Sequence, residues 1–95
     1  IAPGGIPEQT RTILNNLGIL LSEAGLEKNS ICKVNVYIAK MDDEKFQAFN
    51  QVYSEWFGDH KPSRTVIGVY SLPKDGAVEI EAVAELNLWQ SSSNQ

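Results

Sequence analysis

The sequence predicts a single two-layer α+β domain, with two helices packed on one face of a β-sheet. Three observations carry that expectation. Two stretches space their apolar residues as helices do, three others alternate at a period of two, and 95 residues suffice for one core but not for two. Each helical stripe needs apolar surface to cover, and a shared sheet face supplies it.

The chain opens Ile1-Ala2-Pro3-Gly4-Gly5 with no initiator Met, which reads as a loop cut open or a processed end. Pro7 suits a first helical turn, and Ile13, Leu14, Leu17, Leu20, Leu21 and Ala24 form a stripe that predicts a helix over 7–24. Gly25 is its expected C-cap, while Gly18 inside the stripe lowers helicity by about 1 kcal/mol relative to Ala. From Ser30 to Ala39, Cys32, Val34, Val36 and Ile38 alternate with Lys33, Asn35 and Tyr37, which predicts a strand. Asp42 and Asp43 are candidate N-caps of a second helix, whose stripe of Phe46, Phe49, Asn50, Tyr53, Trp56 and Phe57 ends at Gly58. Its aromatic face is expected to point inward.

Thr65 to Tyr70 and Ala77 to Leu88 read as strands joined by a Leu72–Gly76 turn, and so as a hairpin. In the second of them Val78, Ile80, Ala82, Ala84 and Leu86 are expected under the helices. The other sheet face is expected to carry Lys33, Asn35, Tyr37, Arg64, Val66, Tyr70, Glu79, Glu81, Val83 and Glu85, either solvated or as a subunit interface. The domain is expected to span 1–89, with a disordered polar tail at 90–95.

Composition narrows the function classes. Twelve acidic against eight basic residues give a net charge of −4 without a Lys/Arg cluster, which argues against nucleic acid as a partner. One cysteine cannot make an internal disulfide, and one histidine leaves no zinc-type ligand set, so neither disulfide nor metal chemistry is expected. Single-cysteine usage suits a reducing compartment, cytosol or mitochondrial matrix. The apolar runs fall far short of the roughly 20 residues of a membrane helix, so no membrane association is expected. A chain this short buries only about 60 to 65% of its unfolded surface, which makes oligomerisation an early expectation.

Few residues suggest chemistry. Arg64, directly after Pro62-Ser63 at a strand entry, has the side chain best shaped to hold a carboxylate through two parallel hydrogen bonds, or it pairs with a surface glutamate. Glu79 is a general acid or base if desolvated and otherwise a solvated strand residue. Asn50, an amide on an apolar stripe, must find partners if buried, in a loop backbone or in a ligand. Cys32 reads as a small buried hydrophobe, His60 as a loop or helix-end residue, and Asp42-Asp43-Glu44 as capping. Hairpin register places Tyr70 opposite Glu79 and Arg64 opposite Glu85. Arg64 and Glu79 then share a face about 20 Å apart at roughly 3.3 Å per residue, so one site using both must join two subunits.

Several motifs taken in order resemble one family. Lys61-Pro62-Ser63-Arg64-Thr65, Leu72-Pro73-Lys74-Asp75 and Val78-Glu79-Ile80-Glu81-Ala82-Val83-Ala84 are similar to the signature of the Rid family, the reactive intermediate deaminases also called the YjgF family. The resemblance extends through Glu8-Gln9-Thr10-Arg11, Val34-Asn35-Val36-Tyr37 and Phe49-Asn50-Gln51-Val52-Tyr53, covering about Gly5 to Leu86. It implies a chorismate-mutase-like fold with two helices on a mixed β-sheet, assembled as a homotrimer whose sheets form a barrel and whose sites lie between subunits. It also implies hydrolysis of 2-aminoacrylate and related imino or enamine acids to 2-keto acids and ammonia, without metal or cofactor. Carried over, Arg64 holds the substrate carboxylate, Glu79 positions or activates water, and Asn50 lines the site. The family's opening strands, with their Pro-Tyr-Ser and Ser-Gly-Gln motifs, are not in this sequence, and Val66 stands where many active members have cysteine. A non-catalytic 2-keto acid-binding or regulatory module and a translation-inhibiting endoribonuclease are the competing expectations.

Overall fold

The computed structural model describes residues 5–85. In chain order these form α1 (Ile6–Glu23), β1 (Ile31–Ala39), α2 (Asp43–Phe57), β2 (Ser63–Val69) and β3 (Val78–Ala84), with 3-10 turns at Lys28–Ser30 and Pro73–Asp75. Two helices lie on a mixed three-stranded sheet, as the sequence predicts. Residues 86–88 of the expected last strand and the 90–95 tail lie outside the described residues.

Local chemistry fixes the helix ends. Glu8 accepts the Gly5 N–H at 3.0 Å, holding the start of α1. At its other end Gly25, at φ +76, closes a Schellman motif in which Leu26 N–H reaches Leu21 O at 2.8 Å and Gly25 N–H reaches Ser22 O at 3.0 Å. Asp42 caps α2 by accepting Lys45 N–H at 2.8 Å, and Gly58 ends it at φ +63. Gly18 has a packing reason: a Cβ there would stand 3.3 Å from the Trp56 ring, so the glycine lets α1 approach α2. The aromatic face of α2 does point inward. Phe49, Tyr53 and Phe57 are buried with Val52, and their rings follow one another at centroid spacings of 5.3 and 4.5 Å.

The strand order is β2-β1-β3, which corrects the expected hairpin. β1 runs parallel to β2, with Val34 beside Arg64, Val36 beside Val66 and Ile38 beside Gly68. On its other side β1 pairs antiparallel with β3, with Val34 beside Ala82, Val36 beside Ile80 and Tyr37 beside Glu79. β1, α2 and β2 form a crossover unit, because parallel neighbours need a long connection and α2 supplies it. The chain then passes across the end of β1. Lys40 N–H bonds Val69 O at 2.7 Å on one side, and Ala39 N–H bonds Ala77 O at 3.0 Å on the other. Lys74 and Asp75, both near φ +56, give that crossing its sharp bend.

This order changes which residues share a face. Side chains level with the buried Val34, Val36 and Ile38 point toward the helices, so Arg64 and Val66 lie on the helix face, not on the open face where the sequence reading put them. Tyr70 lies beyond β2 and is 84% exposed. The open face carries Lys33, Asn35, Tyr37, Thr65, Ile67, Glu79, Glu81 and Val83. Cys32 is a second correction. An irregularity between Ile31 and Lys33 shifts the register, so Ile31 enters the core while Cys32 is exposed, its thiol 3.4 Å from Val83 O.

Candidate functional site

Arg64 stands at the start of β2 with its side chain laid over α2. Its Nη1 donates to Asn50 Oδ1 at 2.6 Å, and its Cζ lies 4.9 Å from the centroid of the Tyr53 ring and 5.9 Å from that of Phe46. Phe46, Asn50 and Tyr53 occupy positions i−4, i and i+3 of one helical stripe, so a single face of α2 supplies the whole cradle. Asn50 therefore has a partner, and it is not a loop backbone but the Arg64 guanidinium. The alternative of a glutamate partner for Arg64 is not realised among the described residues, since its interactions are those with Asn50 and the two rings.

What such an arrangement can do follows from the donors it leaves. Guanidinium offers five N–H groups in a fixed plane, and Asn50 engages Nη1. The exposed remainder matches the two oxygens of a carboxylate. Tyr53 is 6% exposed, and its hydroxyl has no hydrogen-bond partner among the described residues. Burial pushes its pKa above the usual tyrosine value, and the nearby Arg64 charge pulls it partly back. The sequence reading placed Tyr53 in the core stripe and missed its position beneath Arg64.

Glu79 is on the other side of the sheet. It is exposed on β3 opposite Tyr37, whose hydroxyl donates to Glu81 Oε1 at 2.9 Å. That hydrogen bond, together with the negative charge of Glu81 and Glu79, raises the Tyr37 pKa. Arg64 is level with Val34 and Glu79 with Tyr37, on strands flanking β1, which separates their backbones by roughly 14 Å at about 4.8 Å per strand and 3.3 Å per residue. The two side chains point to opposite faces. The expectation that they share a face is therefore corrected, along with the pairings of Arg64 with Glu85 and Tyr70 with Glu79. Asn50 and Arg64 are brought together; Glu79 is not.

Other candidates take structural roles. His60 Nε2 lies 2.7 Å from Ile31 O, which ties the loop after α2 to the start of β1. Gln9 is buried and accepts Ala77 N–H at 2.9 Å, anchoring α1 to the entry of β3. Val66 packs against the core two residues beyond Arg64 on the same face. A cleft of about 580 Å³ lies between the start of α1, the end of β1 and the crossing segment, and one of about 410 Å³ lies beside Glu79. Neither is lined by Arg64 or Asn50. Among the described residues there is no group of three or more His, Cys, Asp and Glu side chains placed to hold a metal, and no helix is long and apolar enough to cross a membrane.

Comparison with known proteins identifies the family. Residues 1–86 match the family model described as Endoribonuclease L-PSP. A RutC family protein of Pyrococcus horikoshii is 45% identical over 84 residues, covering 88% of this chain and 65% of that protein. A 2-iminobutanoate/2-iminopropanoate deaminase of Capra hircus is 39% identical over 84 residues, covering 88% of this chain and 60% of the relative. Among solved structures, that of E. coli TdcF with bound serine superposes with a TM-score of 0.82 at 34% identity, covering 92% of this chain and 69% of TdcF. The chain thus spans less than two thirds of the length of these curated relatives. On the family match, the identities and the shared fold together, the chain belongs to the Rid family, also known as the YjgF or RutC family.

Proposed function

We propose that the chain is an imine deaminase of the Rid type, hydrolysing small 2-imino acids and their enamine tautomers to 2-keto acids and ammonia. The observation that carries this reading is the held guanidinium of Arg64, fixed by Asn50 at 2.6 Å and by the Tyr53 ring, with donors left over for a carboxylate. The name of the Capra hircus relative supports the substrate class, and the serine in TdcF supports a site for a small amino acid-like ligand.

In this reading Arg64 binds the substrate carboxylate and fixes C2. Water adds to C2 of the imine, protonated on nitrogen, while Glu79 takes one of the water's protons, giving a tetrahedral carbinolamine. Glu79 passes that proton to the amino nitrogen, the C2–N bond breaks as Glu79 takes the proton of the C2 hydroxyl, and ammonia leaves a carbonyl behind. An enamine such as 2-aminoacrylate first gains a proton at C3 and loses one from nitrogen, which yields the imine. The substrate is already reactive, so orientation and proton transfer are sufficient tasks for the protein. Glu79 lies on the opposite sheet face from Arg64 in one chain, so the catalytic Glu79 belongs to a neighbouring subunit of a homotrimer. The proposed compartment is the cytosol or mitochondrial matrix.

An imino acid generated in situ by an amino-acid oxidase, with the survivor trapped by semicarbazide, tests the reading. The parent chain should accelerate imine loss, and Arg64→Ala should lower kcat/KM by at least about 100-fold, the order expected for removing one partner of a close charge pair. Equal background loss in both, with saturable binding of 2-oxobutanoate to the parent, would move the reading to a non-catalytic 2-keto acid-binding module. The family description also names RNA cleavage. A net charge of −4 with no basic cluster disfavours it, and cleavage that copurifies and vanishes in Arg64→Ala would reverse that judgement.

A further inference from the structure

Tyr53 is buried to 6% exposure, its hydroxyl makes no hydrogen bond among the described residues, and its ring face lies under a cation. A buried phenol without a partner is a desolvated polar group, so a phenylalanine would fill the same space at lower cost to folding. The ring's other contacts are with Phe49 and Phe57, which hold it in place from the core side. The guanidinium above it is thereby fixed on two sides: Asn50 on one edge, and an immobile ring on one face, with Phe46 at 5.9 Å.

We infer that Tyr53 is a positioning residue, whose ring sets the plane of the Arg64 guanidinium and presents its unoccupied edge to a planar carboxylate. The attraction is that between a guanidinium and the negative face of an aromatic ring, worth more as the pair is desolvated. Its effect on binding is preorganisation: the arginine does not have to be ordered when the ligand arrives. Lysine in place of Arg64 would lose this, having neither the plane nor the fork. The turnover part of the test rests on the deaminase reading; the geometric part does not.

The chain contains two arginines, Arg11 and Arg64, so their guanidinium nitrogens can be followed separately by NMR, with Arg11 as an internal control. Rotation about the Arg64 Nε–Cζ bond is the first readout and the dissociation constant for 2-oxobutanoate the second. Tyr53→Phe keeps the ring, so both should match the parent. Tyr53→Leu should speed rotation and weaken 2-oxobutanoate binding about 10-fold, with kcat within about 2-fold of the parent. A pentafluorophenylalanine at position 53 keeps the shape of the ring but reverses its charge distribution, so it should act like leucine even if Tyr53→Leu does not fold. If that fluorinated variant left both readouts at parent values, the ring would be packing only and the inference would fail. A fall in kcat of more than about 10-fold in Tyr53→Phe would also overturn it, by giving the hydroxyl a part in the chemistry. A parent that neither binds 2-oxobutanoate nor turns over imine removes the deaminase reading, while the rotation rates still decide whether Tyr53 holds Arg64.

Discussion

Arg64 differs from an ordinary surface arginine in being held before any ligand arrives, and Asn50 is the side chain whose removal isolates that effect. A hydrogen bond to a charged group is worth about 1.5–3 kcal/mol, less where water competes, so Asn50→Ala should raise KM for an imino acid roughly 10-fold while the fold survives. Steady-state kinetics with circular dichroism as control checks both halves. Tyr53 supplies a pH signature. Its folded pKa is raised by burial, so the folded state holds a proton that the unfolded chain releases above about pH 10. The resulting stability is intact below that pH and is lost as pH rises through the folded value. Tyr53→Phe should therefore be as stable as the parent or more so at pH 7, and should lose less stability in denaturant titrations taken above pH 10. Arg64 and Asn50 were legible in the sequence, because an arginine after Pro-Ser and an amide on an apolar stripe both demand partners. Tyr53 was not, because an aromatic on a helical stripe has the same pattern whether it fills the core or carries a cation.

The helices were read closely because their signals are local. Pro7, Gly25, Asp42 and Gly58 act on backbone groups within a turn of themselves, and the observed bounds follow them. Gly25 and Gly58 have φ of +76 and +63 with open space around them, so alanine there strains only the backbone; in chemical denaturation it should cost about 1 kcal/mol at Gly25 and about 1–3 kcal/mol at Gly58, whose ψ of −125 lies outside the left-handed helical region. Gly18 should behave otherwise. Alanine gains about 1 kcal/mol of helix propensity but meets Trp56 at 3.3 Å, so little of that gain should survive. Strand pairing was misread for a different reason. Pro73-Lys74-Asp75-Gly76 is a strong turn signal, but a turn specifies only a bend, and β2 and β3 are antiparallel in the fold with β1 inserted between them. The order strand–helix–strand from Ile31 to Val69 was the signal that a parallel pair was being built. Cys32 was misplaced because an irregularity between Ile31 and Lys33 turns Ile31 inward and Cys32 outward while Val34, Val36 and Ile38 keep the expected face, and no residue type in the strand announces it.

At the scale of the molecule, the sheet divides the proposed site. Arg64 and Asn50 lie on the helix side and Glu79 on the open side, where Ile67 and Val83 are 43% and 52% exposed. The sequence reading already required two subunits for one site, though from a hairpin register that the fold does not have. The corrected register reaches the same requirement through opposite faces of one sheet. Apolar side chains among charged ones on that open face suit contact with another copy better than solvent. Val83→Lys should therefore lower the mass measured by sedimentation, leave the helix signal unchanged and abolish imine hydrolysis. The most direct measurement is subunit complementation. Arg64→Ala and Glu79→Ala chains, each inactive alone, would be unfolded together, refolded as a mixture and assayed for imine loss. If Arg64 of one subunit works with Glu79 of the next, random assembly should restore about a quarter of the parent activity, since about one interface in four then combines both intact residues. No recovery from mixed oligomers of the parent mass would contradict a site shared between subunits.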